Sequence, residues 1–183
     1  MSEQTVNKKK RRLIFRTVLL LVMLSLITFA VVSALQDEDV TVAEGSEAPN
    51  FSLKKFGSDE TVELKDLRGK GVMINFWATY CEPCKEEMPY MEDLYPEYKE
   101  KGVEILAVNL DTTDIVVRQF MEEYQLTFPI LQDKDGQVMN LYGIKPIPTT
   151  FFINPDGTVE EKVIGPLTLS KLEGHLQDIA PSS

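Results

Sequence analysis

The sequence predicts an α/β fold, a central mixed β-sheet covered by helices on both faces. Three observations carry that expectation. "GVMINFWA" (71–78) and "VEILAVNL" (103–110) are unbroken apolar runs of strand length, the pattern of strands buried on both faces and so of a parallel pair. Residues 81–101 between them keep helical spacing and are long enough for the crossover that such a pair needs. "TTFFIN" and "TVEEKVIG" flank Pro155-Asp156-Gly157, a turn with the chemistry of an antiparallel hairpin.

The elements follow in chain order. Residues 1–16 are basic, and 17–35, "TVLLLVMLSLITFAVVSAL", carry no charge. At about 1.5 Å per residue such a helix nearly crosses a hydrocarbon core of about 30 Å. The basic residues before it and the acidic "QDEDV" after it put the N-terminus in the cytoplasm and the rest of the chain outside. An uncleaved signal anchor is the expectation for 17–35. A signal peptide cleaved after Ala34 is the alternative, although typical signal cores run only about 7–15 apolar residues. Residues 36–45 read as a polar tether, and 46–183 as the extracytoplasmic domain.

Within that domain "APNFSL" and "TVELKDL" form a first hairpin around "KKFGSDE". After the parallel pair, 114–124 predict a helix whose apolar face includes Ile115, Val116 and Phe120. "FPIL" is a short strand, and "GQVMNLYG" a helical turn ending at Gly143. Ser170-Lys171-Leu172-Glu173 reads as a capping box opening the last helix.

Charge narrows the function. Residues 1–35 hold six basic side chains against one acidic, a net of +5, so with −10 overall the rest of the chain carries −15. An acidic body of that size repels a polyanion, which excludes nucleic acid as partner. It suits a soluble domain or a basic protein substrate.

The chain has two cysteines, Cys81 and Cys84, at the strand-to-helix junction "NFWATYCEPC". At this spacing they can close a disulfide. Cys81, as the first helical residue, meets free N–H groups and the positive dipole end, which stabilise its nucleophilic thiolate. Cys84, one turn on, points inward and can attack a mixed disulfide formed on Cys81. Pro83 stiffens the first turn without removing a hydrogen bond. A purely structural disulfide would clip distant segments, because so short a loop removes little unfolded-state entropy. A zinc site needs about four ligands, and only His175 joins the two cysteines as an obvious donor. No metal and no cofactor beyond the Cys81–Cys84 pair is therefore expected, and His175 reads as a surface or packing residue.

These motifs resemble the thioredoxin superfamily. "NFWATYCEPC" is similar to its strand, tryptophan and CxxC, and Pro89 to the proline that kinks its active-site helix. "KPIPTTFFINPDG" is similar to its cis-proline loop, which implies a cis Pro148. "EGSEAPNFSL", the early hairpin and the insertion between "VEILAVNL" and Pro148 narrow the resemblance to the TlpA/ResA branch of membrane-anchored, extracytoplasmic thiol–disulfide oxidoreductases. The resemblance implies a thioredoxin-like fold with an N-terminal β-hairpin and a TlpA-type insertion, preceded by one transmembrane helix. It also implies apocytochrome c, with its haem-attachment cysteines, as substrate and a CcdA-like membrane protein as electron donor.

The superfamily carries a buried aspartate six residues before the first cysteine, and this chain has Asn75 there. An amide takes no proton at neutral pH, so another group must handle the proton of Cys84. At about 100° per residue, Glu87 lies about 60° around the helix from Cys84, whereas Glu86 is nearly opposite. Glu87 also matches the branch's active-site glutamate. Partial burial would raise its pKa for that task. Glu82, beside Cys81, opposes a thiolate there and points toward a reductant. Trp77 and Tyr80 flank the site as an apolar rim, with core packing an equally good reading of Trp77. Ile147 and Pro148 complete a groove for an extended substrate. Two rivals remain. One is a peroxiredoxin-like peroxidase, which needs a peroxidatic cysteine with threonine and arginine nearby. The other is a tethered binding or redox-sensing module.

Overall fold

Every residue of β3 (Gly71–Trp77) is buried, and β4 (Val103–Asn109) is buried at all but one position. They pair in parallel, Gly71 opposite Val103 through Trp77 opposite Asn109, at the centre of a seven-stranded sheet in this computed structural model. Residues 14–29 and 42–182 are described. They fall in two units, each taken by itself.

In the first unit residues 14–29 form a helix, α1, whose apolar side chains are exposed on all sides. The expected span 17–35 runs past residue 29, so its C-terminal part lies outside the described residues. Among the described residues no helix is long and apolar enough to cross a membrane.

The second unit orders its strands β2-β1-β5-β4-β3-β6-β7. The first hairpin, β1 (Ser52–Lys55) and β2 (Thr61–Glu63), joins through β1 to β5 (Ile130–Gln132). The second, β6 (Thr149–Ile153) and β7 (Val159–Ile164), joins through β6 to β3. β5 is parallel to β4, and both hairpins are antiparallel additions, so the sheet is mixed. β3 and β4 are joined by α2 (Glu82–Glu100).

Alternation along β3 splits the core in two. Met73 and Trp77 face an apolar cluster with Met88, Met91 and Tyr95 of α2, Val117 and Phe120 of α3 (Asp114–Glu123), and Leu172 and Leu176 of α5 (Leu169–Asp178). Val72, Ile74 and Phe76 face a second cluster with Phe51, Leu64, Tyr142 and Val138 of α4 (Gln137–Leu141). Each such side chain contributes roughly 1.5–3 kcal/mol on full burial.

Four local expectations are corrected. The tether to residue 45 is too long, because Val42 is buried in the second cluster and Gly45 N–H donates to the Val159 carbonyl. In α3 the buried face is Val117 and Phe120, while Ile115 and Val116 are exposed. The short fifth strand begins at Ile130 rather than Phe128. The capping box is not formed: Thr168 is the N-cap of α5 and Ser170 lies inside the helix. Gly71 shows how closely the layers approach. A Cβ there would run into the Ile179 carbonyl at the end of α5.

Candidate active site

β3 ends at Trp77, and the chain passes through Ala78, Thr79 and Tyr80 before α2 begins. Cys81 is the N-cap of α2, not its first helical residue. Its Sγ accepts from the Cys84 N–H at 3.3 Å, so one amide of the helix tip already reaches this sulfur. Cys81 and Cys84 are joined in a disulfide with Cα atoms 5.3 Å apart. Cys84 is fully buried, and Cys81 keeps 7% of its surface. What little access the pair has is therefore at Cys81.

Glu87 is 1% exposed although it is ionisable. Asn75 Nδ2 donates to Glu87 Oε1 at 2.8 Å, and the Leu167 N–H donates to Oε2 at 3.0 Å. Burial pushes the carboxyl up to about 7 against the pull of these two donors. A group that titrates near neutrality, one helical turn from the inward cysteine, can take and return a proton under ordinary conditions. Asn75 itself is fully buried and also donates to Thr150 Oγ1 at 3.0 Å. Glu86, by contrast, faces solvent.

The remaining expected residues divide by exposure. Trp77 is fully buried and stacks obliquely on Phe120, with ring centroids 4.8 Å apart, so it packs the core and offers no rim to a docking chain. Tyr80 is 73% exposed and is free to form that rim. Pro83 lies at the solvent-facing first turn of α2. Glu82 is there too, and its carboxylate pairs with Lys85 at 2.8 Å. The Ile147–Pro148 peptide bond is cis. Ile147 is half-buried against both apolar clusters, and the Pro148 carbonyl accepts from the Gly165 N–H at 2.9 Å. His175 stacks on Phe152 and lies 3.2 Å from a Glu161 carboxylate oxygen, which makes it a packing residue.

Asp111 escaped the sequence reading. It is 8% exposed and accepts from the Thr79 N–H at 2.8 Å, the Thr79 hydroxyl at 2.9 Å and Asn109 Nδ2 at 2.9 Å. It ties the loop before Cys81 to the end of β4. The available signal was its place just past the carboxyl end of a central parallel strand, where α/β sites form.

A buried carboxyl on the helix that opens with a CxxC disulfide, in a chain with a cis-proline bond whose Ile147 packs on the same apolar cluster as that disulfide, is equipped for thiol–disulfide exchange. Residues 45–162 match the AhpC/TSA family. The chain is 56% identical over 178 residues to the thiol-disulfide oxidoreductase ResA of Oceanobacillus iheyensis, covering 96% of this chain and 93% of that one. This chain belongs to the AhpC/TSA family and, within it, to the ResA-type thiol–disulfide oxidoreductases. Two solved structures agree with that membership. A thiol:disulfide interchange protein DsbE from Chlorobium tepidum superposes with a TM-score of 0.71 at 32% identity, over 76% of this chain and 99% of that one. StoA of Bacillus subtilis gives 0.62 at 32% identity, over 72% and 98%. The family shares the thioredoxin-like sheet-and-helix architecture, and thiol–disulfide oxidoreductase is the activity of this chain.

Proposed function

We propose that the chain is an extracytoplasmic reductase of protein disulfides, held at the cell membrane by residues 17–35 with its N-terminus in the cytoplasm. Its substrates are exported proteins, foremost the haem-attachment cysteines of apocytochrome c, which places it in cytochrome c maturation. The observation that carries this reading is the burial of Glu87 with a pKa near neutrality on the same helix as the inward Cys84.

In the reduced chain the Cys81 thiolate attacks a substrate disulfide. One substrate sulfur leaves as thiolate and takes a proton from solvent, and the other is held to Cys81. Cys84 then passes its proton to the Glu87 carboxylate, and its thiolate attacks the Cys81 sulfur. The second substrate sulfur departs and takes a proton from solvent, and Glu87 returns its proton to Cys84 when the disulfide is reduced again. Two electrons have passed from the Cys81–Cys84 dithiol to the substrate. A dithiol donor of the CcdA kind restores them through the membrane. The pair needs no other cofactor. Tyr80 and the half-buried Ile147 form the docking edge, with the buried Pro148 fixing the cis bond beneath it, and the acidic body favours basic exported chains. Glu82 beside Cys81 disfavours the thiolate, and hence an oxidant's very stable reduced form, in keeping with a reductase.

Expressing the Cys84→Ser full chain in cells that make cytochrome c tests the reading. The expected result is a covalent adduct through Cys81 with apocytochrome c. An adduct with cell-wall proteins instead would redirect the substrate. Association that survives Cys81→Ser, with no adduct, would support a tethered binding module, and peroxide consumption by Cys84→Ser a peroxidase.

A further inference from the structure

Both carboxyl oxygens of Glu87 face donors, Asn75 Nδ2 on Oε1 and the Leu167 N–H on Oε2. That arrangement fits the charged carboxylate. Once Glu87 holds a proton it has an O–H to place, and with donors on both oxygens that O–H gains a partner there when one donor gives way to an acceptor. The Leu167 N–H is fixed in the backbone. The Asn75 side chain is a primary amide, whose oxygen and nitrogen ends have nearly the same shape and exchange places by a half-turn.

Two further observations bear on that half-turn. Asn75 Oδ1 is buried and has no hydrogen-bond partner among the described residues. The other group on Asn75 Nδ2 is the Thr150 hydroxyl at 3.0 Å, which can accept or donate with equal ease. Asn75 and Thr150 are directly opposed across the β3–β6 ladder, so their separation is set by the sheet. After a half-turn, Oδ1 would accept from both the Glu87 O–H and the Thr150 O–H. The end left without a partner changes from oxygen to nitrogen, and no bond to Glu87 or Thr150 is lost.

We propose that Asn75 is a positioning residue that stores the Glu87 proton, its amide presenting N–H to the charged carboxylate and turning over to present Oδ1 to the protonated acid. The proton of the neutral acid then rests on Oε1, between Glu87 and Asn75. Asparagine, unlike an aspartate at this place, serves both states without adding a second charge. The inference rests on Glu87 as carrier of the Cys84 proton and names the group through which that carriage is made reversible. The groups hydrogen-bonded to Glu87 are Asn75 from β3 and the Leu167 N–H from the loop before α5, Cys84 stands one turn earlier on its own helix, and no charged side chain contributes to its shift.

The test is a pH titration of the full chain labelled with nitrogen-15 in asparagine side chains and carbon-13 in glutamate carboxyls. The expected result is that the Asn75 side-chain amide signals move with the same midpoint as the Glu87 carboxyl. In Asn75→Leu that midpoint should rise by about one pH unit, because the charged form loses a charge-assisted bond roughly twice as strong as a neutral one. If Asn75→Leu does not fold, Asn75→Ser takes its place, and the wild-type amide titration requires no variant. Amide signals that stay flat through the Glu87 midpoint would overturn the proposal, as would a midpoint unmoved in the variant. The reading of Glu87 as proton carrier fails separately, by a Glu87→Gln chain whose disulfide-exchange rate keeps the wild-type pH profile.

Discussion

A single buried carboxyl governs the residue scale. Glu87 has its pKa raised from 4.5 to about 7 by burial. The folded state therefore binds a proton more tightly than the unfolded chain, and stability is lost as pH rises from about 4.5 through about 7, by roughly 3 kcal/mol in all. Denaturant titrations of the oxidised chain at the two ends of that range should show the loss, and Glu87→Gln should remove most of it. Asp111 supports a second expectation. Asp111→Ala orphans the Thr79 N–H and hydroxyl, and should lower stability by about 1–3 kcal/mol while broadening the amide signals of Thr79 and Tyr80. Glu87 was legible in the sequence because its partner Cys84 is three residues away on one helix. Thr150 and Leu167 were not, since their bonds to Asn75 and Glu87 span 75 and 80 residues. Only the folded sheet brings them together.

At the scale of the element, the start of α2 is made by the cysteines as much as it holds them. Cys81 caps the helix through its sulfur, with Pro83 in the first turn. The wall behind this helix is α5, whose end presses its Ile179 carbonyl toward Gly71 of β3. Gly71→Ala should force α5 away, costing about 1–3 kcal/mol by overpacking, as measured by denaturant unfolding. Because Leu167, just before α5, donates to Glu87, the same variant should also shift the Glu87 titration. Continuous apolar runs made β3 and β4 readable, and turn residues made both hairpins readable. The capping box at Ser170 misled because its motif is local, while the start of α5 is set by the loop that brings Leu167 to Glu87. Residues 42–45 read as tether because Val42 sits in a short acidic stretch without strand or helix periodicity, and its burial depends on cluster partners far along the chain. On α3 the sequence places Phe120 correctly on the buried face but puts Ile115 and Val116 there in place of Val117, since residues 115–117 are consecutive apolar residues and pattern alone does not choose among them.

For the whole molecule, the charge division is the organising feature, +5 before residue 36 and −15 after it. A basic disulfide-bearing substrate should be reduced more slowly as salt rises, an effect that falls away for a neutral one of the same length. A membrane-impermeant thiol reagent applied to intact cells carrying the chain in reduced form should label Cys81, and protection until lysis would contradict the proposed topology. Central to all of this is the division of labour between the two sulfurs. The most direct measurement mixes the reduced chain with a model disulfide peptide and follows products by mass spectrometry, beside Cys81→Ser and Cys84→Ser. The expected result is full reduction by the wild type, no reaction by Cys81→Ser, and a single stalled adduct on Cys81 in Cys84→Ser. Turnover by Cys81→Ser, or an adduct on Cys84 in place of Cys81, would contradict it.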